Sequence, residues 1–495
     1  MAKALIIGSG IAGIATAIRL AVQGYQVEVF EANSYPGGKL SEFEQDGFRF
    51  DAGPSLFTMP QYVDELFVLA GRNPKEFFSY QKLDKVCQYF YEDGTRLNAF
   101  ADAELFAREV NNVTGEPVAS VKKYLTNSAT IYNITNHVFL EQSLHRLKTF
   151  LSRDTARSVL GLPGIDAFRT MHKANEGYFK DDRLVQFYDR YATYNGSNPY
   201  AAPATLNVIP HLEQHYGAYF PIGGMYSITG SLVKLAESLG VIFNYNSKVD
   251  EIMLDARKAT GLKVGEKNIN GDIIISNMDV WFTYQRLLKA HPKLFPRKIL
   301  GQERSSSALI FYWGISRSFP ELDLHNIFFS TDYKAEFDHI WKDKNIFHDP
   351  TIYLNISSKY KPDDAPASCE NWFVMINVPA NVGQEWDTLV ATARENILKK
   401  LTRILGDDIE SLILSETILD PRQIESKTSS YQGSLYGTSS NSRFAAFLRH
   451  ANKSSKIKNL YFCGGSVHPG GGIPLCLLSA KIVSGWIADD FPQTS

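Results

Sequence analysis

The sequence predicts an α/β fold with α+β elements: a Rossmann-like parallel nucleotide-binding sheet, a second mixed sheet and a helical insert. Three observations carry this expectation. The N-terminal run KALIIGSGIAGIATAIRLAVQGYQVEVFE reads strand, glycines, helix, strand and acid, the order of a βαβ mononucleotide unit. A second glycine-rich run, GGSVHPGGGIPL (Gly464–Leu475), lies between strand-like NLYFC and helix-like CLLSAKIVSGWI. Between these ends, strand-rich and helix-rich blocks alternate without an internal repeat, so sheets assembled from distant segments are expected.

The first unit is the most informative. ALII is a short apolar run of the kind buried on both faces of a parallel sheet. Gly8-Ser9-Gly10-Ile11-Ala12-Gly13 then opens a helix that runs to about Val22 and ends at Gly24, and QVEVFE closes on Glu31. One glycine allows the tight turn, one lets backbone N–H groups approach a pyrophosphate, and the third permits close helix–strand packing. The helix N-terminus attracts the phosphates, and Glu31 accepts hydrogen bonds from a ribose diol. An adenine dinucleotide is the expected ligand. Pro36-Gly37-Gly38-Lys39 follows, then a hairpin turning at Asp46-Gly47, then FDAGP with Gly53 and Pro54 on a second turn before Ser55 and Leu56.

Composition bounds the rest. At 495 residues, two or three domains are expected. A hydrophobic share of 44% and a charged share of 21% describe an ordinary folded protein, and a net charge of −2 offers nothing to a nucleic acid. The 31 Phe and 25 Tyr suffice to line a long apolar tunnel, or equally to fill a large core. Cys87, Cys369, Cys463 and Cys476 are widely spaced with no CxxC, which argues against disulfides or zinc and fits reduced thiols. AKALIIGSG reads as strand and turn rather than a signal peptide, and no charge-free apolar run reaches the roughly 20 residues of a membrane span. The expected location is cytoplasmic, with room for peripheral attachment to a membrane.

The GG-basic-hairpin arrangement resembles the long FAD-binding motif of the amine oxidase and carotenoid desaturase superfamily, which implies FAD as the cofactor. Most members have Arg where this chain has Lys39. Lysine keeps the charge but loses the bidentate fork, and Lys39 also reads as a solvated turn residue. On this resemblance the FAD-binding domain comprises 1–80, 217–304 and 426–495. A substrate domain comprises 81–102 and 305–425, and 103–216 forms a helical insert whose aromatic and basic residues suit a lipid surface. In the returning segments, VIFNYNSKVDEIML reads as a strand pair and INGDIIISNMD as one strand, which puts Val249 and Asn277 at strand ends beside the cofactor.

Three further segments resemble the bacterial carotenoid desaturases of the phytoene desaturase type. They are Arg190–Met225 (RYATYNGSNPYAAPATLNVIPHLEQHYGAYFPIGGM), GSLYG with Leu435 at its centre, and LYFCGGSVHPGGGIPL. The first and last look more like the 3,4-desaturases that act on 1-hydroxylated ends. The resemblance implies an FAD enzyme removing two hydrogens from a C–C bond beside a polyene, with oxygen or a quinone as final acceptor. Loss of an allylic hydride leaves a cation spread along the polyene, so flavin N5 accepts it without a dedicated dyad. The sequence agrees, with no HExxH, nucleophile elbow or clustered metal ligands. Alternatives are a phytoene- or neurosporene-type desaturase, a carotene isomerase, a flavin amine oxidase and a flavin-free lipid-binding protein.

Within the last motif, Gly464 and Gly465 are expected to let the backbone approach the cofactor. Gly470 to Gly472 are expected to turn beneath the flavin ring, where a Cβ would crowd it. Gly472, Ile473 and Pro474 would start a helix aimed at the flavin. His468 is the leading acid/base candidate, with hydrogen bonding to the flavin or the substrate hydroxyl as a further role, although a histidine bracing a proline turn is the favoured reading. Glu213 and Arg190 read either as lining a substrate cavity or as a structural ion pair. Cys463 and Cys476 read as small buried residues rather than flavin attachment points.

Overall fold

The computed structural model describes residues 2–136, 141–143, 162–442 and 449–492. Its nucleotide-binding sheet has five parallel strands in the order Ile242–Asn244, Gln26–Phe30, Lys3–Ile7, Ile273–Ser276 and Leu460–Phe462. The unbroken apolar runs follow from burial on both faces. Ala4, Ile6 and Ile275 pack against the helices Ile11–Val22, Tyr226–Ser238 and Ile473–Asp490. Leu5, Ile7 and Ile274 pack on the opposite side against Ile252 and Leu262 of a small antiparallel sheet.

The second sheet has seven strands in the order Ile413–Leu419, Ser307–Ile315, Glu370–Val378, Ile352–Ile356, His325–Phe328, Lys85–Phe90 and Arg96–Phe100. One pairing, His325–Phe328 with Lys85–Phe90, is parallel, so the sheet is mixed as expected. Side chains alternate across it. Phe311, Trp313, Leu354 and Val374 pack on the helix Trp386–Leu405. On the other face, Tyr89, Ile327 and Phe329 meet Phe187, Tyr188 and Tyr191 of the helical segments. Those segments include Ala103–Thr114, Val118–Thr135, Asp182–Asp189 and Ile209–Gln214. Among the described residues, no helix is long and apolar enough to cross a membrane.

Two local expectations differ from the structure. VIFNYNSKVDEIML is not a pair: Ile242–Asn244 joins the parallel sheet beside Gln26–Phe30, and Glu251–Asp255 pairs antiparallel with Lys258–Val264. INGDIIISNMD is broken at Gly271 into Lys267–Asn270 and Ile273–Ser276, which belong to different sheets. A short strand, Ala218–Pro221, pairs with Phe57–Thr58 and Tyr80–Lys82. In each case the partner lies far away in sequence, and local pattern does not encode it.

The Asp46-Gly47 hairpin is anchored by buried charge. Arg49 donates to Asp51 at 2.6 Å and Glu42 at 2.5 Å, and reaches Asp364 at 3.2 Å. Asp51 in turn accepts from the backbone N–H of Met225 and Tyr226, each at 3.0 Å. One guanidinium thus ties three distant segments together. Arg49→Met would leave Asp51 and Asp364 buried without that cation, and a loss of about 3–5 kcal/mol is expected. Thermal unfolding checks it, with Lys399→Met, whose exposed pair with Glu395 screens readily, expected to leave the midpoint unchanged.

Candidate functional site

At the carboxyl end of Lys3–Ile7 the backbone turns at Gly8, whose φ of +91° suits glycine. The next helix starts at Ile11 with Gly10 as N-cap; no side chain caps it and its first turn carries no acid. The N–H groups of Ile11, Ala12 and Gly13 are therefore left for an outside anion. Gly13 lies so close to the Gly8 carbonyl that a Cβ would overlap it. Glu31, buried at the end of the second strand, accepts from Ser9 N (2.8 Å), Ser9 Oγ (2.9 Å) and Asn33 N (2.9 Å). A carboxylate has about four acceptor positions, so one remains for a hydroxyl. Ser247 N donates to the Glu31 carbonyl at 2.7 Å, and Val249 packs beside Phe30, which places the Val249 segment against this acid.

The motif after the first unit folds back onto it. Gly37 N donates to Ser9 O at 2.8 Å, and a Cβ on Gly38 would lie 3.6 Å from Gly10 Cα. Gly53 abuts the Lys39 carbonyl, and beyond Pro54 the Ser55 hydroxyl lies 2.7 Å from Tyr353 OH. Leu56 packs into the helical cluster. Asn277, just past Ile273–Ser276, stands between the two glycine runs: a Cβ on Gly10 or Gly464 would come within 2.7 Å of its amide. Residues more than four hundred positions apart thus share one wall.

The C-terminal run is more tightly packed than expected. A Cβ on Gly471 would lie 2.8 Å from Tyr436 Cα, and one on Gly465 would lie 3.1 Å from Gly471 Cα. A Cβ on Gly472 would meet nothing within 4 Å; its φ of +102° is what favours glycine. The small residues are therefore demanded by the protein's own loops, a reason additional to the expected crowding of a ring. The final helix begins at Ile473 with Pro474 in its first turn and has neither a side-chain cap nor an acid there. His468 is 1% exposed, its Nε2 lies 2.9 Å from the Gln142 carbonyl, and its own carbonyl accepts from Asn452. That is the geometry of a brace. Burial pushes the Cys463 thiol up to about 12 and Cys476 up to about 11, so both are protonated and unreactive.

The half-buried Lys39 stands with two buried arginines that escaped the sequence reading. Lys39 Nζ donates to the carbonyls of Leu435 (2.9 Å) and Ser434 (3.2 Å). Arg304 pairs with Asp279 and donates to Ser434 Oγ at 3.2 Å, while its Nε has no partner among the described residues. Arg449 donates to Tyr436 O and Asn195 Oδ1, each at 3.1 Å. Burial lowers Lys39 to about 8, and burial with the Arg304 charge lowers Arg449 to about 10. Three cations thus surround Ser434–Tyr436, with Asp279 paired to Arg304. Arg304 and Arg449 belong to no motif, so only the fold brings them to Lys39.

Arg190 and Glu213 are brought together, 4.0 Å apart, within a packed aromatic cluster on the inner face of the mixed sheet. Uncapped helix N-termini, a diol-accepting acid and surplus buried positive charge fit an adenine dinucleotide with its diphosphate.

Comparison with known proteins agrees. The family model described as flavin containing amine oxidoreductase matches residues 11–487. The chain is 51% identical over 495 residues to the 1-hydroxycarotenoid 3,4-desaturase of Flavobacterium sp. (strain P99-3), covering 100% of both. It is 34% identical over 492 residues to the 4,4'-diapolycopene oxygenase of Methylomonas sp, covering 99% of this chain and 98% of that one. Cyclohexylamine oxidase from Brevibacterium oxydans IH-35A shares the fold, with a TM-score of 0.62 at 14% identity over 99% of this chain and 100% of that one. The chain therefore belongs to the flavin containing amine oxidoreductase family, in the group that includes 1-hydroxycarotenoid 3,4-desaturase, and FAD is its cofactor.

Proposed function

We propose that this protein is an FAD-dependent carotenoid 3,4-desaturase acting on 1-hydroxylated acyclic ends, for example converting 1'-hydroxy-γ-carotene to 1'-hydroxytorulene. The end-to-end identity of 51% to a 1-hydroxycarotenoid 3,4-desaturase carries this reading. The flavin supplies the hydride acceptor, and the chain's own residues bind, orient and exclude water. The N–H groups of Ile11 to Gly13, with Gly8 and Gly10, take the pyrophosphate, and Glu31 takes the ribose. Lys39 and Arg304 supply positive charge, and Gly38 lets the loop close on Gly10. Gly53 to Leu56, Asn277, Leu435, Gly464 and Gly465 wall the cofactor, and Gly472, Ile473 and Pro474 present the final helix N-terminus to it. His468 braces the loop.

A polyene of this length resides in lipid, and the exposed Leu105 of the helix Ala103–Thr114 supports docking on a bilayer surface. Oxygen or a quinone takes the electrons. A second reading, oxygenation of a carotenoid end, is favoured by the 34% identity to a diapolycopene oxygenase. Mass-resolved product analysis with phytoene, lycopene and a 1-hydroxylated acyclic carotenoid separates them. Loss of two hydrogens from the hydroxylated substrate, with a red-shifted spectrum, is expected. Gain of oxygen, or unchanged mass, would reject the desaturase.

Lys39 makes the cofactor site sensitive to pH. With its pKa lowered to about 8, it loses its charge as pH rises through that value. A diphosphate alongside favours the charged form, so binding takes up a proton above about pH 8 and affinity falls as pH rises. Titration of flavin into apoprotein is expected to show constant affinity below about pH 8 and roughly a tenfold loss per unit just above it. Lys39→Arg, which stays charged, is expected to flatten that slope.

A further inference from the structure

A 1-hydroxylated carotenoid carries one polar group into an apolar chamber. A buried hydroxyl needs partners, so an enzyme selective for it must keep buried polar groups with unused hydrogen-bonding capacity. Two such groups lie on the inner face of the mixed sheet. Arg190 Nε and His325 Nε2 have no partner among the described residues, and the two side chains' residues are 7% and 3% exposed.

The two donors border one aromatic cluster. The strand His325–Phe328 sets Ile327 opposite Tyr89, and His325, two residues earlier, is on that same face. Arg190 Nη2 donates to Tyr89 OH at 2.5 Å, and its guanidinium lies 5.2 Å from the Tyr89 ring centre and 4.8 Å from that of Tyr191. These rings hold the cation in place by cation–π attraction without occupying Nε. His325 Nδ1 faces Tyr353 OH at 2.7 Å and the Asn355 amide nitrogen, a donor, at 3.1 Å. Nδ1 therefore accepts, and the proton of the neutral ring sits on the open Nε2. Burial lowers this histidine to about 3, which keeps it neutral.

An acceptor is close by. The Glu213 carboxylate, 4.0 Å from Arg190, is held by the hydroxyls of Tyr191 (2.6 Å) and Tyr194 and retains acceptor capacity. Both sides of the cluster also connect to the cofactor site. Tyr353 bonds Ser55 in the loop that follows Gly53. The turn that starts at Arg190 ends at Asn195, which accepts from Arg449 beside Tyr436.

We propose that Arg190 Nε–H and His325 Nε2–H, with the Glu213 carboxylate, receive the 1-hydroxyl of the carotenoid end and so fix which C–C bond faces the flavin. The hydroxyl accepts from the two N–H donors and donates to Glu213. Only C1 and C2 separate it from C3, so anchoring the oxygen leaves the C3–C4 bond little freedom. This assignment rests on the reading of the protein as a desaturase of hydroxylated ends.

The test uses holoenzyme on phosphatidylcholine vesicles and two ligands, a 1-hydroxylated acyclic carotenoid and its 1-deoxy counterpart. Kd, from the shift of polyene absorption, and kcat/KM are measured for wild type, His325→Phe and Glu213→Gln, with FAD content as a control on folding. Wild type is expected to favour the hydroxylated ligand by about 100-fold or more. Each variant is expected to lose most of that preference, read as the ratio of hydroxylated to deoxy ligand within the same variant. Equal losses on both ligands, or a preference that survives both substitutions, overturns the proposal. A wild type that desaturates neither ligand refutes the enzymatic reading instead, and the ratio of the two Kd values still decides the hydroxyl site.

Discussion

The site depends on the parallel pairing of Ile273–Ser276 with Lys3–Ile7 on one side and Leu460–Phe462 on the other. Parallel strands share one direction, so all three deliver their following loops to the same edge of the sheet. Gly8, Asn277 and Gly464 are the residues that emerge there, and the Asn277 amide fills the space between the two glycine runs. A side chain at Gly10 or Gly464 would displace that amide and part the walls. The glycines thus serve two requirements at once: they keep backbone N–H groups accessible, and they let loops from opposite ends of the chain close on a single asparagine.

Buried charge is used in two opposite ways. Around Arg49 every charge has a partner: Glu42, Asp51 and Asp364 surround one guanidinium, Lys361 also pairs with Asp364 at 2.7 Å, and Asp51 accepts two backbone N–H groups. Such a cluster holds segments in register and has no need of a ligand. Around Ser434–Tyr436 charge is unbalanced, with Lys39, Arg304 and Arg449 set against Asp279. Desolvation lowers two of the three cations, a cost that an anionic cofactor relieves. The contrast distinguishes a structural charge cluster from one that awaits a partner.

The α/β class, the mixed second sheet and the nucleotide motif were legible because their signals are local. The Gly8 to Gly13 turn, the helix that follows and Glu31 fall within one continuous stretch, and the Asp46-Gly47 hairpin lies just downstream. What was illegible depended on distant partners. Ile242–Asn244 is three residues long and is a strand only because Gln26–Phe30 offers an edge. Arg304 and Arg449 look like ordinary surface cations until the fold buries them. Gly271 looks like part of one strand, yet it is where the chain passes from the antiparallel to the parallel sheet. The roles of Gly470 to Gly472 were read from an absent ring, whereas Tyr436 and Arg449 already limit the first two of them.

His325 and Arg190 extend the same reasoning from cofactor to substrate. A hydride transfer assisted by a conjugated chain asks little of catalytic side chains, so selectivity must come from where the chain is held. Apolar contact alone discriminates weakly between polyenes that differ only at one end. A buried donor without a partner discriminates strongly, because a ligand lacking the hydroxyl leaves it unsatisfied. Arg190 keeps its charge in a low-dielectric cluster by lying against tyrosine rings beside Glu213. Its Nε, without a partner among the described residues, is thereby left for a ligand. The aromatic excess seen in the composition then has a purpose beyond filling a core: it lets charge reside beside a polyene without requiring water.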